Sequence, residues 1–134
     1  MANEPPLSKF NQESPGQTIL LVEDDEDIGV FVTQVLTYET PYEALHVTDA
    51  TSALKIVDSI KPGLFILDYR LPGMNGIELS DRLHAIEGLE TVPTMMISAN
   101  YLPRQELQQR HITYLKKPFD LSHLLGIVER LLAA

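Results

Sequence analysis

Three short stretches of the chain, Ile19–Val22 ("ILLV"), Leu64–Leu67 ("LFIL") and Met95–Ile97 ("MMI"), are apolar at every position instead of every second one. A strand that is hydrophobic on both faces has to be covered on both faces, the condition of a central strand in a parallel sheet sandwiched between helices. Thr94 extends the third stretch to Thr94–Ile97, and two more strand-sized runs, Ala44–Val47 and Ile112–Leu115, bring the count to five. Helical patterns fill the intervals. Ile28, Phe31, Val32, Val35 and Leu36 follow the i, i+3, i+4, i+7, i+8 spacing that gives a helix one apolar stripe, and Ala50, Ala53, Leu54 and Val57 repeat it. Leu79, Leu83 and Ile86 form a weaker stripe; Leu121, Leu124, Leu125, Val128, Leu131 and Leu132 form a strong one. The fourth window, "YLPRQELQQR", offers Pro103 for a first turn and only Leu102 and Leu107 for burial, which predicts a short, loosely held helix.

Five strand–helix units in succession require right-handed crossovers, hence a doubly wound, three-layer α/β domain. The 134 residues suffice for one such domain, spanning 18–134. Residues 1–17, rich in Pro, Ser, Glu, Asn and Gln without hydrophobic period, read as a flexible tail. The absence of cysteine excludes disulfides, zinc–thiolate sites and thiol nucleophiles. A net charge of −9 opposes direct binding to nucleic acid or anionic membranes. No apolar run suits a signal peptide or a membrane span, so a cytoplasmic protein is expected.

In open parallel sheets the functional groups lie just beyond the carboxyl ends of the strands. Glu23 and Asp24 follow the first strand, Asp68 ends the third, Ser98 ends the fourth, and Lys116 and Lys117 follow the fifth. Glu26 and Asp27 read as solvated or capping groups at the start of the first helix. Glu23 and Asp24 extend a buried strand toward Asp68, and carboxylates ~4 Å apart repel by about 4 kcal/mol even at an effective dielectric of ~20. Either a proton is taken up or a cation binds. Carboxylate oxygens with room for water suit Mg²⁺. Alone, Asp68 could close an Asx turn, Ser98 could cap a helix, Lys117 could be a surface charge, and Tyr114 could pack with its hydroxyl in water. "LPGMNG" separates Asp68 from the next helix, however, and the convergence of an acid pair, a carboxylate, a hydroxyl and an ammonium favours chemistry. A carboxylate nucleophile attacking a phosphoryl group needs a metal and donors to hold the charge.

The motifs "ILLVEDDED", "LFILDYRLPGMNGIEL", "PTMMISA" and "YLKKPF", in that order, resemble the receiver domain of bacterial two-component response regulators from about Thr18 to Leu132. The resemblance implies a flavodoxin-like (βα)5 fold with strand order 2-1-3-4-5. It implies that Asp68 accepts a phosphoryl group from a sensor histidine kinase or phosphotransfer protein, and that Mg²⁺ or Mn²⁺ is held by Asp24, by Glu23 through water, by Asp68 and by the backbone carbonyl of Arg70. Lys117 corresponds to the phosphate-contacting lysine, with a cis bond to Pro118, and Lys116 to a surface residue. Ser98 matches the switch hydroxyl and Tyr114 the aromatic residue that turns inward after it. Arg70 and Asn100 stand where receivers tune the lifetime of the phosphorylated state; Arg70 is expected to screen the attacking water.

The family catalyses only its own phosphorylation and dephosphorylation and signals through a downstream protein target, here as a monomer or a phosphorylation-dependent homodimer. The ending "RLLAA" favours a stand-alone chain over a receiver module excised from a larger regulator, and the complete residue set disfavours a docking-only pseudo-receiver. Two departures stand out. The stretch from Ser98 to Lys117 is a few residues short, and "QRHI" replaces the usual Gly-Ala, so the fourth helix is expected to be truncated or displaced. Competing families fail at single features: a haloacid-dehalogenase-like phosphatase needs an aspartate where Arg70 stands, and a flavodoxin needs a Ser/Thr/Gly-rich loop where "EDDED" stands.

Overall fold

Hydrogen bonding between parallel neighbours assembles β1 (Thr18–Val22), β2 (Glu43–Val47), β3 (Leu64–Asp68), β4 (Thr94–Ser98) and β5 (Thr113–Lys116) into one sheet of order β2-β1-β3-β4-β5. This computed structural model describes residues 18–100 and 102–133. The expected tail over 1–17 lies outside them. Helices α1 (Glu26–Glu39), α2 (Ala50–Ile60), α3 (Gly76–His84), α4 (Arg104–Gln109) and α5 (Leu121–Ala133) follow the strands in turn.

Alternate residues of each central strand feed opposite layers. Ile19, Leu21, Leu64, Ile66, Met95 and Ile97 pack with Val32 and Leu36 of α1 and Leu124, Ile127 and Val128 of α5. Leu20, Val22, Phe65, Leu67 and Met96 pack with Ala53 and Val57 of α2, Leu79 and Leu83 of α3, and Leu107 of α4. All five residues of β1, β3 and β4 are buried, as their unbroken hydrophobicity requires.

Local chemistry sets the helix starts. Asp25, not Glu26 or Asp27, caps α1 by accepting the Ile28 N–H at 3.0 Å, while Glu26 and Asp27 lie exposed in the first turn. Asn75 and Glu78 form a reciprocal capping box at α3, so the cap falls at the end of "LPGMNG" and Asp68 is left for other work.

Three details differ from the sequence expectation. Phe31 is 52% exposed, because α1 turns Gly29, Val32 and Leu36 toward the sheet. β5 begins one residue later than the apolar run, with Ile112 buried in the preceding turn and its N–H bonded to Leu107 O. Helix α4 is short, six residues, with Leu107 its one fully buried side chain, and it has an anchor the sequence pattern does not show: Arg110, just past its end, pairs with Asp81 of α3 through Nε and Nη2 at 2.8 and 3.0 Å.

Candidate active site

Strand register brings the acids together. Val22 pairs with Leu67, so the next residue on each strand, Glu23 and Asp68, stands level at the carboxyl edge, one strand spacing of ~4.8 Å apart. Asp68 in turn pairs with Ile97, and Ser98 with Lys116. Both acids are buried, Glu23 to 1% exposure and Asp68 to 4%. Gly76 makes room for the end of β3, since a Cβ there would come within 2.7 Å of the Asp68 carbonyl oxygen and 3.0 Å of Tyr69 Cα. Its N–H donates to Tyr69 O at 2.8 Å, folding the loop back onto the strand end.

The repulsion expected between these acids is met in two ways. The Lys117 ammonium sits between them, donating to Glu23 Oε1 at 2.9 Å and to Asp68 Oδ2 at 3.0 Å. Glu23 also has an affinity for a proton well above that of an ordinary carboxylate. Burial lifts its pKa from 4.5 to about 7 and the Asp68 charge adds to the rise, against the hydrogen bonds from Lys117 and the Asp25 N–H. Burial opposes the Lys117 charge, but its bonds to Glu23 and Asp68 prevail and hold its pKa above the usual lysine value. The Lys117–Pro118 bond is cis, and the Lys117 N–H donates to Ser98 O at 2.8 Å.

The remaining residues line an open cleft of about 290 Å³ bounded by Glu23, Asp24, Asp68, Arg70, Ser98, Asn100 and Lys117. Ser98 is a buried strand end and not a helix cap; its Oγ accepts the Asn100 N–H at 3.2 Å. The Arg70 N–H donates to Asp68 Oδ1 at 3.0 Å, and Arg70 itself is exposed at the rim. Asp24 is exposed. Tyr114 lies outside the cleft, 39% exposed, with the Arg104 guanidinium 5.4 Å from its ring centroid. Lys116 is at the surface, as expected.

One oxygen from each of Glu23, Asp24 and Asp68 falls within 4.8 Å of the others. Three hard carboxylate donors, one of them open to solvent, fit a Mg²⁺-type ion that keeps several waters. Two contributors escaped the sequence reading. Gly76 reads in the sequence as the last residue of the "LPGMNG" turn, because Asn-Gly marks turns, and its close approach to the end of β3 shows only in the structure. His46 donates from Nε2 to the Glu23 carbonyl at 2.8 Å; its signal was a polar residue within the run "ALHV".

Residues 19–129 match the family model described as the response regulator receiver domain. The chain belongs to this family. Receiver domains act in phosphorylation-based two-component signalling, and this chain is one of them. The DNA-binding response regulator MtrA of Mycobacterium tuberculosis is 35% identical over 115 residues, 84% of this chain and 49% of that protein. The phosphate regulon transcriptional regulatory protein PhoB of Pseudomonas aeruginosa is 31% identical over 120 residues, 87% of this chain and 52% of that protein. This receiver thus spans about half the length of both relatives. It spans 94% of sporulation initiation phosphotransferase F of Bacillus subtilis, with 29% identity over 120 residues, 87% of this chain. Among solved structures, the chemotaxis protein CheY4 of Vibrio cholerae superposes with a TM-score of 0.79 at 25% identity, covering 87% of this receiver and 98% of that chain. The non-phosphorylated HemR receiver domain of Leptospira biflexa gives 0.77 at 27% identity, covering 90% and 96%. The fold is therefore the flavodoxin-like one, in the strand order expected. None of the described helices is long and apolar enough to cross a membrane.

Proposed function

We propose that Asp68 is the phosphoacceptor of this receiver, taking a phosphoryl group from a phosphohistidine of a sensor kinase or phosphotransfer protein. The observation that carries the reading is the Lys117 ammonium, bonded to both Glu23 and Asp68 in a cleft that leaves Asp68 reachable. In the transfer, an Asp68 carboxylate oxygen attacks phosphorus as the P–N bond breaks, its electron pair leaving with the donor imidazole. The product is an aspartyl phosphate, which water later hydrolyses.

Asp24, Glu23, Asp68 and the Arg70 carbonyl would hold Mg²⁺, or Mn²⁺ in its place. The bound ion would neutralise phosphoryl oxygens, which is most of what such a transfer needs. Lys117 exchanges its bond to Asp68 for one to a phosphoryl oxygen and stays charged throughout. Ser98 donates its hydroxyl to another phosphoryl oxygen, and Tyr114 leaves its outward position beneath Arg104 to turn toward the space the hydroxyl has left. Arg70 and Asn100 govern how water reaches the phosphoryl group. The chemistry is confined to the chain's own phosphorylation and dephosphorylation, in the cytoplasm, with output through an altered protein-binding face as monomer or homodimer.

The test is incubation with a small phosphodonor, with Mg²⁺ or with EDTA, followed by intact-mass measurement. One added phosphoryl group is expected with Mg²⁺ alone, and none in Asp68→Asn. Equal modification of Asp68→Asn overturns the assignment.

A further inference from the structure

The turn joining β1 to α1 carries two of the three clustered carboxylates, and a residue on the sheet edge holds its backbone. His46 of β2 pairs in register with Leu21, so its side chain emerges on the α1 side of the sheet. There its Nε2 meets the Glu23 carbonyl oxygen at 2.8 Å. A carbonyl only accepts, so the ring presents Nε2–H to it. The ring has space because α1 carries no side chain at position 29: a Cβ on Gly29 would collide with the ring atoms of His46. Glycine is unfavourable within a helix, and its presence here answers to this close approach.

The carbonyl that His46 holds belongs to the peptide group linking Glu23 to Asp24. The plane of that group fixes ψ of Glu23 and φ of Asp24, and with them the directions in which both carboxylates leave the chain. The turn is held elsewhere by the Glu23 N–H on Val47 O at 3.1 Å and the Asp25 N–H on Glu23 Oε2 at 3.0 Å. We propose that His46, seated over Gly29, is a positioning residue for the divalent-cation site, aiming Glu23 and Asp24 at the point they share with Asp68. This rests on the reading of those three carboxylates as the cation site. Outer hydrogen-bond partners of metal sites are typically worth ~10- to 100-fold in affinity, and one acting through the backbone belongs at the lower end, about tenfold.

The test measures Mn²⁺ affinity of the unphosphorylated protein from the electron paramagnetic resonance signal of free Mn²⁺, at one fixed neutral pH. His46→Leu fills the space without a donor, whereas His46→Gln keeps a donor nitrogen near the position of Nε2. Gly29→Ala drives the ring off the carbonyl from the helix side while raising helix propensity. His46→Leu and Gly29→Ala are expected to weaken binding about tenfold, and His46→Gln to remain within about twofold of wild type. Unchanged binding in His46→Leu, or equal losses in His46→Leu and His46→Gln, would reduce His46 to packing and overturn the proposal. Asp24→Asn separates the two levels: if wild type binds no Mn²⁺, or if Asp24→Asn binds as wild type does, the site reading itself falls, whatever His46 does.

Discussion

Replacing Glu23 with glutamine removes a buried charge while keeping the size of the side chain and an oxygen acceptor. Burial, with the Asp68 charge adding to it, lifts this carboxyl from 4.5 to about 7, so the folded chain keeps a proton that the unfolded chain has released. The Glu23 contribution to stability is complete below pH 4.5 and is lost as the pH rises through about 7. At ~1.4 kcal/mol per pKa unit, the loss is about 2–4 kcal/mol. Glutamine does not titrate, so the stability difference between Glu23→Gln and wild type should move by that amount in favour of the variant between about pH 4 and pH 8. The fixed offset from altered hydrogen bonding cancels in this comparison. Urea unfolding in EDTA across the range measures it. A difference that stays flat, or moves toward wild type, refutes the reasoning, because it means that Lys117 neutralises Glu23 fully and burial costs the carboxylate nothing. Saturating Mg²⁺ should stabilise wild type by about 2.7 kcal/mol at ~100 times its dissociation constant. The variant should respond less.

Other perturbations probe separate parts of the account. Arg70→Asn should shorten the lifetime of the aspartyl phosphate several-fold, followed as decay of the phosphorylated mass after donor removal; an unchanged decay rate rules out screening by Arg70. Arg110→Ala breaks the pair with Asp81, whose carboxyl Arg110 holds below its ordinary 3.8. Both partners are substantially exposed, so the cost should be only about 0.5–1 kcal/mol at low salt, shrinking in high salt and as pH falls toward the Asp81 pKa. Amide exchange in α4 should quicken with it. Gly76→Ala pushes a Cβ onto the Asp68 carbonyl and should cost about 1–3 kcal/mol in urea unfolding, with slower phosphorylation.

The site was legible in the sequence because a parallel sheet places successive strand ends along one edge, so Glu23, Asp24, Asp68, Ser98 and the Lys116–Lys117 pair come together from the ends of the apolar runs, while the choice of Lys117 rests on the family resemblance. What the runs could not carry was tilt and rotation. Of the stripe Ile28, Phe31, Val32, Val35 and Leu36, Val32 and Leu36 face the sheet as expected, but Gly29 also lies on the buried side, seated against His46, and Phe31 is left at the solvent edge of the stripe. Helix α4 looked weak because its anchors are one leucine and an ion pair to Asp81, 29 residues earlier in the chain, a contact that periodicity does not encode. His46 was hidden for a similar reason. The run "ALHV" does show a polar residue at position 46, but its partner is a backbone carbonyl, which no residue pattern names.

The most direct measurement is chemical localisation of the phosphoryl group. Borohydride reduces an aspartyl phosphate to homoserine, so the protein phosphorylated in Mg²⁺, reduced and peptide-mapped should carry homoserine at position 68 and nowhere else. Homoserine at Asp24 or Asp25, or its absence from a protein that had gained a phosphoryl group, would contradict the central claim that Lys117 and the acid pair serve Asp68 as the acceptor.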